Sequence, residues 1–235
     1  PCIEGPDSER FMEYVVTRCR ESSVPVAVHL DHSPSFENCA RGIHLGCTSV
    51  MFDGSALPYE ENVAITKKVV EMAHAAGVTV EAEIGHVSGH EGNMLDGNIA
   101  DESAFTTVEE AMQFYQDTQV DCLAVAIGTV HGVYKGEPHL DLDRLQAIRD
   151  ELPIPVVIHG GSGLKEKDYK ELVAHGANKI NFFTTMTLAA SEAVRKLLAE
   201  HDKLTMTDII EVGQKAAEDI VSEHIEIFGT KPLTK

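Results

Sequence analysis

A chain of 235 residues, 43% of them hydrophobic, is long enough for one large domain and apolar enough to fill its core. Its formal net charge is −19, and no Lys/Arg cluster supplies the basic face that nucleic-acid phosphates require. Five cysteines (Cys2, Cys19, Cys39, Cys47 and Cys122) without a CxxC pair argue against a disulfide framework and for a reducing compartment; no apolar run reaches the roughly 18 residues of a membrane span, and no signal peptide is visible.

In chain order, residues 7–22 read as a helix, followed by a strand at Val24–Asp31 and a helix at 35–45. Next come a strand at Thr48–Asp53, a helix at 60–76, a strand at Val78–Gly85 and a helix at 107–118. The strand Asp121–Gly128, the helix 141–151, the strand Pro155–Gly160, the helix 165–175 and the strand Asn178–Thr184 complete the alternation. Two further helices, 186–200 and 205–228, close the chain. Such regular alternation implies a parallel sheet, and nearly all-apolar strands imply that both of its faces are covered. No Ser/Gly- or Pro-rich linker interrupts the pattern, so residues 1–235 are expected to form a single domain. The length suits an α/β fold of the (β/α)8 TIM-barrel type, typically about 250 residues. Only six strands are visible and a helix precedes the first of them, so about two N-terminal strands are expected to be missing; an open six-stranded sheet is the alternative. The opening at Pro1 rather than Met agrees with an absent N-terminal portion. His86–Phe105 is polar and Gly-rich, and a loop of that length in a compact domain is usually a functional lid or disordered.

In parallel α/β folds, sites collect at the C-terminal ends of strands. The first strand ends His29-Leu30-Asp31-His32-Ser33, the third Glu81-Ala82-Glu83-Ile84-Gly85-His86 and the fourth Gly128-Thr129-Val130-His131-Gly132. The fifth ends Ile158-His159-Gly160-Gly161-Ser162-Gly163 and the sixth Asn181-Phe182-Phe183-Thr184. A lone histidine at a strand end is more often a hydrogen-bonded rim residue than a ligand. Three of them, His32, His131 and His159, with Asp31 and Glu83 alongside, suit a catalytic Zn²⁺ that keeps an open position. Strand alternation puts His29 on the face of Asp31, as a core or supporting histidine. Gly160–Gly163 follows a strand and precedes a helix, the arrangement in which backbone N–H groups and a helix N-terminus cradle phosphate. Asn181 and Thr184 could add donors on the same side. In so acidic a chain an anion site must build its own positive potential, from backbone N–H groups, a metal or a few lysines.

The segments VAVHLDHS, VEAEIGHVSGHE, LAVAIGTVHGVYKGEP, VVIHGGSG and KINFFT, collinear from about Val24 to the C-terminal helix, resemble the class II ketose-bisphosphate aldolases, which include fructose-1,6-bisphosphate and tagatose-1,6-bisphosphate aldolases. The resemblance implies a cytoplasmic (β/α)8-barrel enzyme, a homodimer or homotetramer, that reversibly cleaves a phosphorylated ketose to dihydroxyacetone phosphate and an aldehyde. It also implies the residue roles. Asp31 is the proton donor, and His32, His131 and His159 are zinc ligands. Glu83 lies near zinc or serves an alternative metal position. Gly132, Gly160, Gly161, Ser162, Asn181, Phe182, Phe183 and Thr184 fall in the dihydroxyacetone-phosphate site, with Lys135 on the phosphate side. Glu91 matches a mobile-loop residue that moves the substrate proton, and a monovalent cation (Na⁺ or K⁺) is expected near the phosphate.

Three features depart from the family pattern. Members begin about two strands earlier. Phe183 stands where fructose-bisphosphate enzymes usually carry an Asp that contacts substrate hydroxyls, and where tagatose-type members carry a small apolar residue. Thr187 stands where some members place a cation that grips the distal phosphate across a subunit interface. Two rival readings remain. A zinc hydrolase on the same barrel is opposed by the GGSG turn and the lack of an HxH pair. A non-catalytic sugar-phosphate-binding homologue draws support from Phe183 and Thr187.

Overall fold

Strand and helix alternate throughout a computed structural model that describes residues 3, 5–89 and 99–232. The strands β1 (His29–Ser33), β2 (Ser49–Phe52), β3 (Thr79–Ile84), β4 (Cys122–Val125), β5 (Val156–Ile158) and β6 (Ala177–Ile180) follow one another across a single sheet in sequence order. The four neighbouring pairs from β1–β2 to β4–β5 are parallel. The helices are α1 (Ser8–Arg20), α2 (Phe36–His44), α3 (Tyr59–Ala75), α4 (Val108–Thr118), α5 (Leu142–Glu151), α6 (Glu166–Ala174), α7 (Thr184–Glu200) and α8 (Met206–Ile227). The fold is therefore α/β. No helix among the described residues is long and apolar enough to cross a membrane.

The largest boundary differences from the sequence reading are at the first and last strands. The first strand, expected over Val24–Asp31, starts at His29 and runs to Ser33. Val24 and Val26 are 63% and 46% exposed, so their branched side chains do not mark core, and Pro25 has no N–H to give a ladder. The last strand, expected to reach Thr184, stops at Ile180, and Thr184 is already the first residue of α7. Within the expected 86–105 loop, Glu102–Ala104 forms a 3₁₀ turn, and the His86 N–H donates to Ala104 O at 3.1 Å.

The chain divides into two compact units. The first holds the residues up to His86 together with Ala104–Ala126 and Ala147–Val157. Its β3 explains its layering. Val80, Ala82 and Ile84 turn one way, into a core shared with Val63, Val69, Val70 and Ala73 of α3. Each fully buried valine or isoleucine of this kind adds about 1.5–3 kcal/mol. Glu81 and Glu83 turn the other way and are nonetheless buried, at 0% and 1% exposure. Sealing carboxylates from water is costly unless something meets their charge.

The second unit holds Val87–Ser103, Ile127–Gln146 and the residues from Ile158 onward. Its centre is aromatic. Tyr169 of α6, Phe182, His224 of α8 and Phe228 interlock with ring centroids 4.1–6.5 Å apart, most of them edge-on. This cluster ties the segment leaving β6 to α6 and α8. Asn181 continues the pairing beyond β6, its N–H donating to Ile158 O at 2.9 Å.

Candidate active site

At the end of β1 the pleat breaks. His29 pairs with Ser49 and Leu30 with Val50, but Ser33 pairs with Phe52, so β1 holds one more residue than β2 over the same span. The extra residue forms a bulge, and His32 takes a left-handed backbone with φ 46°, uncommon outside glycine although tolerated by histidine. In a regular strand the neighbours Asp31 and His32 would face opposite ways. Here both face the carboxylate side of β3. The ligand atoms of His29, Asp31 and Glu81 lie within 4.8 Å of one another, and so do those of His32, Asp53 and Glu83. His29 shares a face with Asp31: its Nδ1 is 2.8 Å from Ser49 Oγ, and its Nε2 is 3.7 Å from Asp31 and 3.8 Å from Glu81.

Asp53, the last residue of the expected second strand, holds His32. Its Oδ2 lies 2.8 Å from His32 Nδ1, while its Oδ1 accepts from Ser55 N–H at 3.1 Å and from Ser55 Oγ–H at 2.7 Å. Gly54 fits beside it because a Cβ there would meet Asn62 Oδ1 at 2.3 Å, and Asn62 Nδ2 donates to Glu83 O at 3.1 Å. Sequence reasoning passed over Asp53, although its signal was available: it is the polar residue ending a strand, like the residues singled out on the other strands. A carboxylate that fixes one imidazole nitrogen and turns the other toward a site is the support metal-binding histidines use.

Burial on its own would lower the His32 pKa, but the hydrogen bond to Asp53 and the negative fields of Asp31, Glu83 and Asp53 outweigh it and raise the value to about 9. Burial would likewise raise Asp53, but the hydrogen bonds from His32 and Ser55 and the His32 charge pull it down to about 2. The signs define a pH window. The raised His32 contributes stability that is complete below its unfolded value of 6.5 and lost as pH climbs through about 9. The lowered Asp53 contributes stability present above 3.8 and lost as pH falls through about 2. Metal-free protein should therefore be most stable between about pH 4 and 6.5 and lose on the order of 2 kcal/mol toward pH 9.5, by urea unfolding. An Asp53→Asn variant should show a flatter profile; equal slopes in parent and variant would refute the pairing.

The second unit carries the remaining strand-end histidines. His131 follows β4, is buried, and its N–H donates to Ser88 O at 2.9 Å. His159 directly follows β5 and is fully buried. The two rings meet edge-on with centroids 5.8 Å apart, close enough for two imidazoles to share one ion. Asn181 Nδ2 lies 3.3 Å from His159 Nε2, and Asn181 Oδ1 accepts from Lys179.

The glycine turn follows. Gly160 has φ 67° and so close an approach that a Cβ would sit 2.5 Å from Val130 O. Gly161 O accepts from Tyr169 O–H at 2.6 Å, and buried Ser162 accepts from the Phe183 N–H at 3.1 Å. Gly132 and Thr184 are buried, whereas Lys135 is exposed. Phe182 spends its ring on the aromatic cluster, 4.1 Å from His224, so only its backbone is available to a ligand. Phe183 is 42% exposed. Glu91 lies outside the described residues.

Parallel strands that end in imidazoles, carboxylates and a glycine-lined turn have the make-up of an α/β enzyme able to hold a metal ion beside an anionic ligand. The family model for fructose-bisphosphate aldolase class-II matches residues 5–232. The probable fructose-bisphosphate aldolase of Bacillus subtilis (strain 168) is 42% identical over 219 residues, 93% of this chain and 73% of that protein. The fructose-bisphosphate aldolase of Staphylococcus aureus (strain Mu50) is 42% identical over 215 residues, 91% of this chain and 73% of its own length. Among solved structures, the YdjI aldolase from Escherichia coli K12 superposes with a TM-score of 0.83 at 32% identity, covering 97% of this chain and 78% of that one. The putative fructose-1,6-bisphosphate aldolase from Coccidioides immitis gives a TM-score of 0.82 at 28% identity, covering 95% and 78%. The chain belongs to the class II fructose-bisphosphate aldolase family, whose members are generally metal-dependent carbon–carbon lyases.

Proposed function

We propose that this protein is a zinc-dependent aldolase that reversibly cleaves a phosphorylated ketose, a ketose 1,6-bisphosphate or a related sugar, to dihydroxyacetone phosphate and an aldehyde. The observation that carries the metal reading is the His32–Asp53 pair, a carboxylate-oriented imidazole with Glu83 beside it. In this reading His32, His131 and His159 hold one Zn²⁺, with Glu83 serving an alternative position. The donor set fits: neutral imidazoles and a carboxylate are zinc ligands, and His131 and His159 are already paired. The ion, when bound, supplies Lewis acidity that stabilises negative charge developing on the substrate.

The remaining work falls to the chain. Asp31 gives a proton to the aldehyde oxygen as the carbon–carbon bond forms and takes it back in cleavage. Glu91 removes the carbon-bound proton of dihydroxyacetone phosphate. The backbone N–H groups of Gly160, Gly161 and Ser162, with Gly132, Lys135, Asn181 and the Phe182–Thr184 segment, hold the phosphate and fix the reacting carbon. A monovalent cation completes the phosphate site. The exposed Phe183 favours an aldehyde portion gripped less by hydroxyl contacts than in fructose-bisphosphate enzymes. We propose further that residues 1–235 belong to a single (β/α)8-barrel domain that works in a cytoplasmic homodimer or homotetramer. Its partner would be a small sugar phosphate rather than nucleic acid or membrane.

A kinetic screen of fructose-1,6-bisphosphate, tagatose-1,6-bisphosphate and monophosphorylated ketoses, with and without a chelator, tests the reading. Chelator-sensitive cleavage of at least one is expected. Ester or amide hydrolysis without aldol cleavage would point to a metal hydrolase. Binding of dihydroxyacetone phosphate without exchange of its carbon-bound proton would point to a non-catalytic homologue.

A further inference from the structure

Tyr134 has no part in the chemistry above, yet it touches both halves of the second unit's site. Its hydroxyl donates to Gly160 O at 2.7 Å and accepts from the Val130 N–H at 3.3 Å. Val130 immediately precedes His131, and Gly160 immediately follows His159. One phenol oxygen therefore joins the backbone beside one candidate ligand to the backbone beside the other. The ring runs on along the turn, with Cδ2 3.6 Å from the point a Cβ would occupy on Gly163. Burial raises the phenol pKa despite the Val130 N–H, so the proton that Gly160 O receives stays in place at any working pH.

The arrangement needs all of its parts. The Val130 and Gly160 backbones approach so closely that a Cβ on Gly160 would sit 2.5–2.9 Å from the Val130 backbone atoms. The two loops, each leaving a different strand, are in backbone contact, and the Tyr134 hydroxyl bridges them. The His131 and His159 rings, 5.8 Å apart, inherit that spacing.

We propose that Tyr134 is a positioning residue that clamps the His131 loop to the His159–Gly163 turn, setting the distance between two metal ligands and the shape of the anion cradle together. The metal part of this inference rests on the zinc reading proposed above. Groups that orient ligands from behind typically change metal affinity 10–100-fold when removed.

Tyr134→Phe keeps the ring and deletes both hydrogen bonds. Tyr169→Phe is the matched control, because its hydroxyl also donates to a carbonyl of the turn, Gly161 O at 2.6 Å, but does not reach the His131 loop. Two readouts are taken on the intact zinc-loaded protein: release of zinc to an excess of chromogenic chelator, and hydrogen exchange at the Val130 amide. Tyr134→Phe should release zinc about tenfold faster and exchange the Val130 amide at least about tenfold faster. Tyr169→Phe should stay within about twofold of the parent in both. Similar acceleration in both variants would mean general loosening of the turn and would overturn the clamp. So would zinc release and Val130 exchange in Tyr134→Phe that match the parent. If the parent holds no zinc at all, the zinc reading fails by itself, and the exchange comparison still decides the clamp.

Discussion

Replacing His159 with alanine should yield a protein that holds no zinc after dialysis and cleaves no phosphorylated ketose. His159 is fully buried, shares an edge-on contact with His131, and sits one residue before the glycine turn. If the proposed three-imidazole site loses one member it drops below the ligand count of catalytic zinc, so affinity and activity should fall together. The loss in kcat/KM should reach at least about 10³-fold, since charge developing on the substrate would lose its main stabiliser. Elemental analysis alongside the aldol assay decides it, and a near-parent circular dichroism spectrum guards against simple unfolding. A variant that kept its full zinc complement would remove His159 from the ligand set.

The Asp31→Ala variant should behave in the opposite way toward metal. Asp31 groups with His29 and Glu81, 3.7 Å from His29 Nε2, rather than with His32, Asp53 and Glu83. Zinc content should stay near one per chain while kcat falls by about 10²–10⁴-fold, the usual worth of a positioned proton donor. KM should change little, because a proton delivered as the bond forms matters in the transition state and not in ground-state binding. A parent-like rate would exclude Asp31 as the proton donor.

Much of this was legible in the sequence. Short apolar runs and helical periodicity located the six strands and eight helices of the described chain, because sheet burial and helix amphipathicity both act through local pattern. The strand-end rule then picked out His32, Glu83, His131 and His159 without any coordinates. Three features were missed, although one of them, Asp53, carried the strand-end signal. The first strand was displaced, because Val24 and Val26 look like core but face solvent, a fact of tertiary surroundings rather than of propensity. Asp53 escaped notice because its role depends on a partner 21 residues away across a strand pair. Tyr134 escaped for the same kind of reason: only the fold brings its hydroxyl to a carbonyl 26 residues further on.

The irregular end of β1 has a consequence for protein engineering. The acid and the imidazole are adjacent in the chain yet serve one face, and the supernumerary residue and its left-handed turn are what allow it. Grafting this dipeptide onto the regular strand of another scaffold would send one of the two side chains into the wrong layer. A transplant of the chemistry would have to carry the local main-chain path as well, along with a residue at the second position that tolerates positive φ.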